Sequence, residues 1–210
     1  MSLVLGINPA HDASVAVAVD GKIVFAVAEE RLTRKKHHAH GFVAGANHAL
    51  KLLGQSIHDI RRVVICRHGL QEALRDEACK SFLDSLQAQQ IPLEVVESHH
   101  DLHACSAFLQ SPFDEAAVLV LDGSGTHARH LPAEYRECAE NPSALETGLA
   151  HESMSLWQAG PSGMALLRTR LTTGAVSLPP LLEGAAEAPS PYFYSPWCGS
   201  EPLVRSLISP

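Results

Sequence analysis

The sequence predicts an α/β fold whose sheet contains parallel strands. Three short apolar strands occupy the first 28 residues, and the Asp20-Gly21 pair between the second and the third is a two-residue hairpin signal. After these strands, segments with helical spacing alternate with short β-branched runs as far as residue 121. Helices that alternate with short apolar strands are typical of a sheet that adds its later strands in parallel.

The first 54 residues supply four predicted elements and one charged segment. Strands are predicted at 2–8, 14–19 and 22–28, and such close spacing favours an antiparallel meander. The charged, basic stretch 29–40 is predicted to be a surface segment. Apolar residues then recur at helical spacing over 42–54, where Gly54 is a stop signal.

The elements that follow alternate between strand and helix. Strands are predicted at 62–66, 92–97 and 116–121, and a further strand is predicted at 152–158. Ser98 is a suitable N-cap for a helix over 99–109. An amphipathic helix is predicted over 70–89, with one stripe formed by Leu74, Ala78, Phe82 and Leu86.

Composition excludes several classes of function. The 210 residues are 46% hydrophobic and 19% charged, which excludes wholesale disorder. A formal net charge of −7 argues against a nucleic-acid partner held by general phosphate attraction. No apolar run is long enough for a membrane span, and no secretory signal pattern opens the chain. The five cysteines include no CxxC pair, so we expect reduced thiols and a cytoplasmic location.

The turn that follows the first strand carries the first candidate catalytic pair. His11 can act as a general acid or base near neutral pH, and Asp12 can orient it or a substrate hydroxyl. The alternative is an ordinary turn whose polar side chains satisfy nearby backbone N–H groups.

A second cluster has the spacing of a metal site. His99 and His103 fall at i and i+4, so a helix places both imidazoles on one face. His100 is turned about 100° away and is expected to be a surface or supporting group. Among 13 histidines such a pair also arises by chance, so its spacing alone has low specificity.

The turn after the strand at 116–121 is the third candidate. Asp122 ends that strand, and two histidines with one aspartate form a ligand set typical of Fe(II) and suitable for Mn(II) or Zn(II). The backbone N–H groups of Gly123, Ser124 and Gly125 can approach a phosphate or nucleotide. A simple hairpin turn is the alternative.

Composition changes again near the end of the chain. Seven of the 13 prolines lie beyond residue 171, with no strand or helix period. We therefore predict a first lobe at 1–111, a partial second lobe at 112–171, and a proline-rich irregular tail at 172–210.

The predicted element order resembles the ribonuclease-H-like half-domain of the actin, hexokinase and Hsp70 ATPases, followed by the start of a second, incomplete half-domain. Five blocks of the sequence are distinctive: LGIN with HDAS at 5–14, VDGKI at 19–23, EERLTRKKH at 29–37, HHDLHA with SAF at 99–108, and SPFDEAA at 111–117 leading to LDG at 121–123. Together they resemble the O-carbamoyltransferase family of the NodU/CmcH type, whose N-terminal domain is similar to the tRNA-modifying TsaD.

This resemblance implies a chemistry for the candidate residues. The family transfers a carbamoyl group from carbamoyl phosphate to a substrate hydroxyl, through a carbamoyl-adenylate made with ATP. The metal ligands correspond to His99, His103 and Asp122, and the metal acts as a Lewis acid. His11 and Asp12 correspond to the residues beside the transferred carbamoyl, where they position or deprotonate the acceptor. The partner is then a small-molecule hydroxyl compound.

The resemblance is strong over about 1–125 and weak to about 171. Nothing in the later sequence resembles the YrdC-like domain that activates the carbamoyl group, so we expect a truncated or frame-shifted chain, inactive alone, with that domain on another chain. Two alternatives remain: a non-catalytic metal- or nucleotide-binding remnant, and a TsaD-like tRNA-modifying protein, which the charge disfavours.

Overall fold

A five-stranded sheet forms the centre of the first unit of the chain, residues 2–111. The computed structural model describes residues 2–122 and 125–173. The strands are β1 (Leu3–Asn8), β2 (Ser14–Val19), β3 (Lys22–Ala28), β4 (Ile60–Cys66) and β5 (Leu93–Val96), in the spatial order β3-β2-β1-β4-β5.

The pairing of these strands is mixed. β1 is antiparallel to β2, which is antiparallel to β3, whereas β4 is parallel to both β1 and β5. Asp20 and Gly21 both have positive φ, as the predicted two-residue turn requires. The predicted α/β class is confirmed, and this strand order is that of the ribonuclease-H-like fold.

Five helices accompany the sheet in this unit, together with a short 3-10 turn at Ile57–Asp59. They are α1 (Glu29–Thr33), α2 (Val43–Leu52), α3 (Leu70–Ala73), α4 (Glu77–Ala88) and α5 (His99–Leu109). The core contains fully buried residues from strands and helices alike, including Leu5, Val17 and Val63 from strands and Ala46 from α2. Removal of this apolar surface from water is what holds the helices against the sheet.

Two predictions for this unit are wrong in part. The segment 29–40 is not wholly a surface segment, because it begins with α1 and Glu29 is buried. The helix predicted over 70–89 is two helices, since the Asp76 carboxylate accepts a hydrogen bond from the Cys79 N–H and starts α4 there. Ala78 is consequently exposed, and Cys79 takes its place among the buried residues.

The second unit contains a three-stranded antiparallel sheet in the order β6-β7-β8. Its strands are β6 (Ala116–Leu121), β7 (His151–Gly160) and β8 (Gly163–Thr172), with a 3-10 turn at Ala128–His130 and the short helices α6 (Ala133–Glu137) and α7 (Ser143–Glu146) before β7. The Trp157 ring is buried beside Tyr135, and its Nε1 donates to the Ser155 hydroxyl at 2.8 Å.

β6 forms where a strand is predicted, but its apolar side chains are only partly buried. Val118 and Val120 are buried, but Leu119 and Leu121 are 57% and 49% exposed. Among the described strands, β6 pairs only with β7, in antiparallel register. The tail predicted at 172–210 lies outside the described residues, except for Thr172 and Thr173. Within the described residues, no helix combines the length and the apolarity that a bilayer crossing requires.

Candidate functional site

The carboxyl ends of the parallel strands bring several polar segments of the first unit to one edge of the sheet. β1 leads into the turn 9–13, β4 leads into 67–69, and β5 leads into the start of α5. Gly69 shows how closely two of these segments approach, because a Cβ built there would lie 2.6 Å from the Ala10 Cα. This edge is where open α/β sheets commonly bind ligands.

The predicted His11-Asp12 pair lies in the turn after β1. Asn8 is buried and its side-chain oxygen accepts the Ala10 N–H, which starts the turn. Asp12 adopts a left-handed backbone conformation, with φ of 54°, that aspartate tolerates better than most residues. The His11 Nδ1 and the Asp12 Oδ2 are 2.9 Å apart, so the carboxylate can orient the imidazole.

A second imidazole, which sequence reasoning left among the exposed basic residues, reaches the same carboxylate. The His37 Nδ1 is 2.8 Å from the Asp12 Oδ1. The backbone N–H of His37 also donates to the Glu30 Oε2 at 2.9 Å. The ligand atoms of Asp12, Glu30 and His37 lie within 4.8 Å of one another, but Asp12 and His37 already bond to each other, and the Glu30 carboxylate also pairs with Arg31 at 3.3 Å.

The segment that carries His37 is fixed to the turn through its backbone. The Ala13 N–H donates to the His38 carbonyl at 2.9 Å, and the His40 N–H donates to the Pro9 carbonyl at 3.0 Å. Of the six described non-glycine residues with positive φ, four lie in this turn or the facing segment: Asp12, Arg34, His37 and His40. Such backbone strain clusters at functional sites, since it persists only where surrounding contacts impose it.

Glu29 supports this arrangement from inside the protein. Its two carboxylate oxygens accept the backbone N–H groups of Ala44 and Gly45, in the first turn of α2, at 2.9 and 2.8 Å. Burial raises the pKa of Glu29, while these hydrogen bonds and the nearby His38 oppose the rise. The Thr33 hydroxyl, which donates to the Glu29 carbonyl, also lies 2.9 Å from the His38 Nδ1.

The predicted histidine pair is confirmed as a pair on one face of α5. The Ser98 hydroxyl accepts the Asp101 N–H at 3.1 Å, so the predicted N-cap sets the start of the helix. The Nε2 atoms of His99 and His103 face each other at 2.8 Å. Two imidazole nitrogens bound at right angles to one ion at about 2.1 Å would be about 3 Å apart, so the donor set suits a metal.

The electrostatics of His99 also favour a metal ligand. Burial holds the pKa of His99 well below 6.5, and the neighbouring His103, His100, His68 and His11 lower it further. His68 lies just after β4, and its ring centroid is 5.8 Å from that of His99. His99 is therefore neutral at pH 7, and a neutral imidazole has the lone pair that a metal needs.

Of the two roles expected for His100, a surface group or a supporting group, the surface role is wrong. This histidine is fully buried, as are Asp101 and Cys105 on the same helix. The Cys105 thiol donates to the Asp101 Oδ1 at 3.4 Å, one helical turn earlier in α5. Truncation of His100 would leave a cavity and disturb a buried polar group, so it is a poor control for metal binding.

The third candidate cluster belongs to the second unit. Asp122 follows β6 as predicted, and its N–H donates to the Ser153 carbonyl at 3.1 Å. Gly123 and Ser124 lie outside the described residues. The Gly125 N–H donates to the Glu152 carbonyl at 2.8 Å, so it is already engaged by protein. Metal binding by Asp122 together with His99 and His103 stays a prediction. So does phosphate or nucleotide binding by the glycine-containing turn.

Glu152 is a buried acidic residue of this unit that the sequence analysis does not predict. Its side chain is fully buried on β7, and its Oε2 accepts the Thr126 N–H at 3.2 Å. The Thr126 carbonyl in turn accepts the Glu152 N–H at 2.9 Å. These bonds tie the segment after Asp122 to β7. The sequence offered only one signal, a lone glutamate in an otherwise uncharged strand.

Comparison with known proteins identifies related sequences. The sequence model of the family described as "Carbamoyltransferase N-terminus" matches residues 3–78 and 72–151. An uncharacterized protein of Synechocystis, sll1178, is 33% identical over 162 residues, which covers 61% of this chain and 26% of that protein. The nodulation protein NolNO of Sinorhizobium fredii is 30% identical over 165 residues, covering 67% of this chain and 24% of that protein. The chain therefore spans about a quarter of the length of these curated relatives.

Solved structures also resemble the chain at low sequence identity. YeaZ from Pseudomonas aeruginosa superposes with a TM-score of 0.42 at 13% identity, covering 90% of this chain and 71% of that one. A second structure, described as an uncharacterized protein with similarity to peptidase YeaZ from Pseudomonas aeruginosa, gives a TM-score of 0.43 at 15% identity, with 90% and 70% covered.

Proposed function

The chain belongs to the carbamoyltransferase N-terminus family, and on that premise we propose that it forms the part of a carbamoyltransferase that receives the acceptor hydroxyl. The observation that carries this proposal is the His11-Asp12 pair in the turn after β1, at the same sheet edge as the first residues of α5. A general base must lie within hydrogen-bonding reach of the proton it removes, and an edge lined by imidazoles meets that need.

The acceptor in this proposal is a small molecule with a hydroxyl group. His11 takes the hydroxyl proton on its Nε2, because its Nδ1 is engaged by Asp12. The Asp12 carboxylate fixes the ring and stabilises the imidazolium that forms. The carbamoyl group comes from carbamoyl phosphate through a carbamoyl-adenylate made with ATP. That activation would occur on a YrdC-like domain outside residues 1–210.

The proposal includes a divalent metal held by His99 and His103, with Asp122 as the third ligand that the sequence predicts. The facing Nε2 atoms and the depressed pKa of His99 support a metal there. Fe(II) is favoured by the ligand set, and Mn(II) or Zn(II) are the other candidates. When bound, such an ion would supply Lewis-acid polarisation of the carbamoyl carbonyl.

Preformed carbamoyl-adenylate tests the proposal, because it bypasses the activation step. With Mn²⁺ present and water as the acceptor, we expect the 210-residue chain to release AMP faster than buffer does. His11→Gln and Asp12→Asn should remove most of this acceleration, whereas His58→Gln, at an exposed position in the 3-10 turn before β4, should retain it. AMP release no faster than in buffer would refute the proposal.

A second assay uses ATP and carbamoyl phosphate as substrates, so that the activation step is required. We expect no carbamoyl product from these two compounds with residues 1–210 alone, because the family resemblance of these residues does not include the activating domain. Steady formation of carbamoyl-adenylate by the purified 210-residue chain would contradict the assignment of activation to a domain outside these residues.

A further inference from the structure

Asp12 bonds to two imidazoles at once. Its Oδ2 lies 2.9 Å from the His11 Nδ1, and its Oδ1 lies 2.8 Å from the His37 Nδ1. The Asp12 side chain is 15% exposed, whereas those of His11 and His37 are 72% and 59% exposed. The carboxylate is therefore the sheltered centre of the cluster, and the rings extend from it to solvent.

These contacts fix which nitrogen each ring presents. An ionised carboxylate can only accept hydrogen bonds, so the Nδ1 of each ring must carry the hydrogen. In the neutral ring, Nε2 then carries the lone pair and is the only nitrogen left to accept a proton. A free imidazole can place its hydrogen on either nitrogen, so Asp12 selects one tautomer for both rings.

We propose that His37 is a second catalytic imidazole of the acceptor site, held by Asp12 so that its Nε2 receives the hydroxyl proton alongside His11. This inference rests on the proposed carbamoyl transfer and names a residue that the family resemblance left without a role. Both rings contribute to removal of the hydroxyl proton, so the loss of either one lowers the rate of transfer.

The fold places His37 more firmly than His11. The contact of His11 with Asp12 joins neighbours in sequence, whereas His37 comes from 25 residues further along the chain. Its backbone N–H is bonded to Glu30, its φ is 53°, and the adjacent His38 carbonyl accepts the Ala13 N–H. These contacts would not be required if His37 were an exposed histidine without a role in the site.

The transfer step balances with His37 as the base. The acceptor oxygen attacks the carbamoyl carbon and forms the new C–O bond, while the bond from that carbon to the adenylate phosphate oxygen breaks. AMP leaves with the bonding electron pair. The hydroxyl proton moves to the His37 Nε2, and the adjacent Asp12 carboxylate stabilises the imidazolium.

Nitrogen-15 NMR of the labelled 210-residue chain tests the arrangement without any catalysis. Long-range proton–nitrogen spectra distinguish the two neutral tautomers of each histidine. We expect the Nδ1–H tautomer for His11 and His37, and its loss from both rings in Asp12→Ala. The exposed His58 is the internal reference, and its signals should not change. An Nε2–H tautomer at His37 that is unaffected by Asp12→Ala would overturn the proposal.

AMP release from preformed carbamoyl-adenylate tests the catalytic part. We expect His37→Gln to lower the maximal rate at least about fivefold with an unchanged half-saturating concentration, because general-base catalysis typically contributes more than tenfold and His11 remains. A rate equal to that of wild type would overturn the role of His37. If wild type itself does not accelerate AMP release, the proposed function fails and the proton step with it. The tautomer result would still decide whether Asp12 holds both rings.

Discussion

Gly69 is the position where a single methyl group should disturb the candidate site most clearly. It follows β4 with a φ of +78°, and a Cβ built there would lie 2.6 Å from the Ala10 Cα and 2.7 Å from the Pro9 carbonyl oxygen. These are backbone atoms of the turn that carries His11. They cannot rotate away as a side chain would, so Gly69→Ala must displace the turn or the segment after β4.

The magnitude follows from two separable costs. The left-handed backbone conformation costs an alanine about 1–2 kcal/mol. Overpacking against atoms that cannot move easily adds about 1–3 kcal/mol. Gly54→Ala is the matched control, because Gly54 has a φ of +63° but nothing within 4 Å of its Cβ position. We therefore expect Gly69→Ala to lower the free energy of unfolding of the first unit by about 1–3 kcal/mol more than Gly54→Ala.

Amide hydrogen exchange read by mass spectrometry is the suitable assay. Peptides covering β1 and β4 report opening of the buried sheet of the first unit. The expected difference corresponds to exchange about 5- to 150-fold faster in Gly69→Ala than in Gly54→Ala. Equal exchange in the two variants would show that the close approach to the turn carries no energetic cost, and would refute the reasoning.

Three further predictions concern the metal pair and the buried acid. His103→Ala should abolish Mn²⁺ or Zn²⁺ binding measured by calorimetry, whereas His58→Ala should retain it; binding that survives in His103→Ala would contradict the metal assignment. The pKa of His99 is depressed in the folded protein, so as the pH falls through 6.5 this imidazole gains a proton only in the unfolded chain. The free energy of unfolding should therefore decrease below pH 6.5. The dependence of this free energy on pH should be weaker in His99→Gln. Urea titrations followed by circular dichroism check this, and an unchanged pH dependence would count against it. Glu29→Gln should cost about 1–3 kcal/mol in the same assay, because an amide cannot accept both N–H groups, while the exposed Glu77→Gln should cost little.

Local signals in the sequence were enough to predict the helix that carries the metal pair. Ser98 as a cap and histidines at i and i+4 depend only on neighbours along the chain, and α5 begins and ends at the predicted residues. The same is true of the Asp20-Gly21 turn, whose residue types select its backbone conformation.

Contacts between distant residues could not be predicted in this way. The bond of His37 to Asp12 spans 25 residues and depends on left-handed backbone conformations at both residues, for which histidine gives almost no signal. Glu29 lies in a charged segment that is predicted to be exposed, yet its carboxylate is buried because it accepts a backbone N–H group from the first turn of α2. Burial of an acidic side chain at a helix N-terminus is a tertiary effect, because the local sequence does not specify which acidic residue of a charged segment will bind there.

The half-exposed leucines of β6 have a consequence for the 210-residue chain in solution. Leu119 and Leu121 are about half exposed, and within the described residues one side of the strand has no neighbouring strand. A row of backbone donors and acceptors beside leucines is a template for pairing with another chain. The purified protein should therefore associate as its concentration rises, and a lysine in place of Leu119 should raise its solubility limit through repulsion between neighbouring copies.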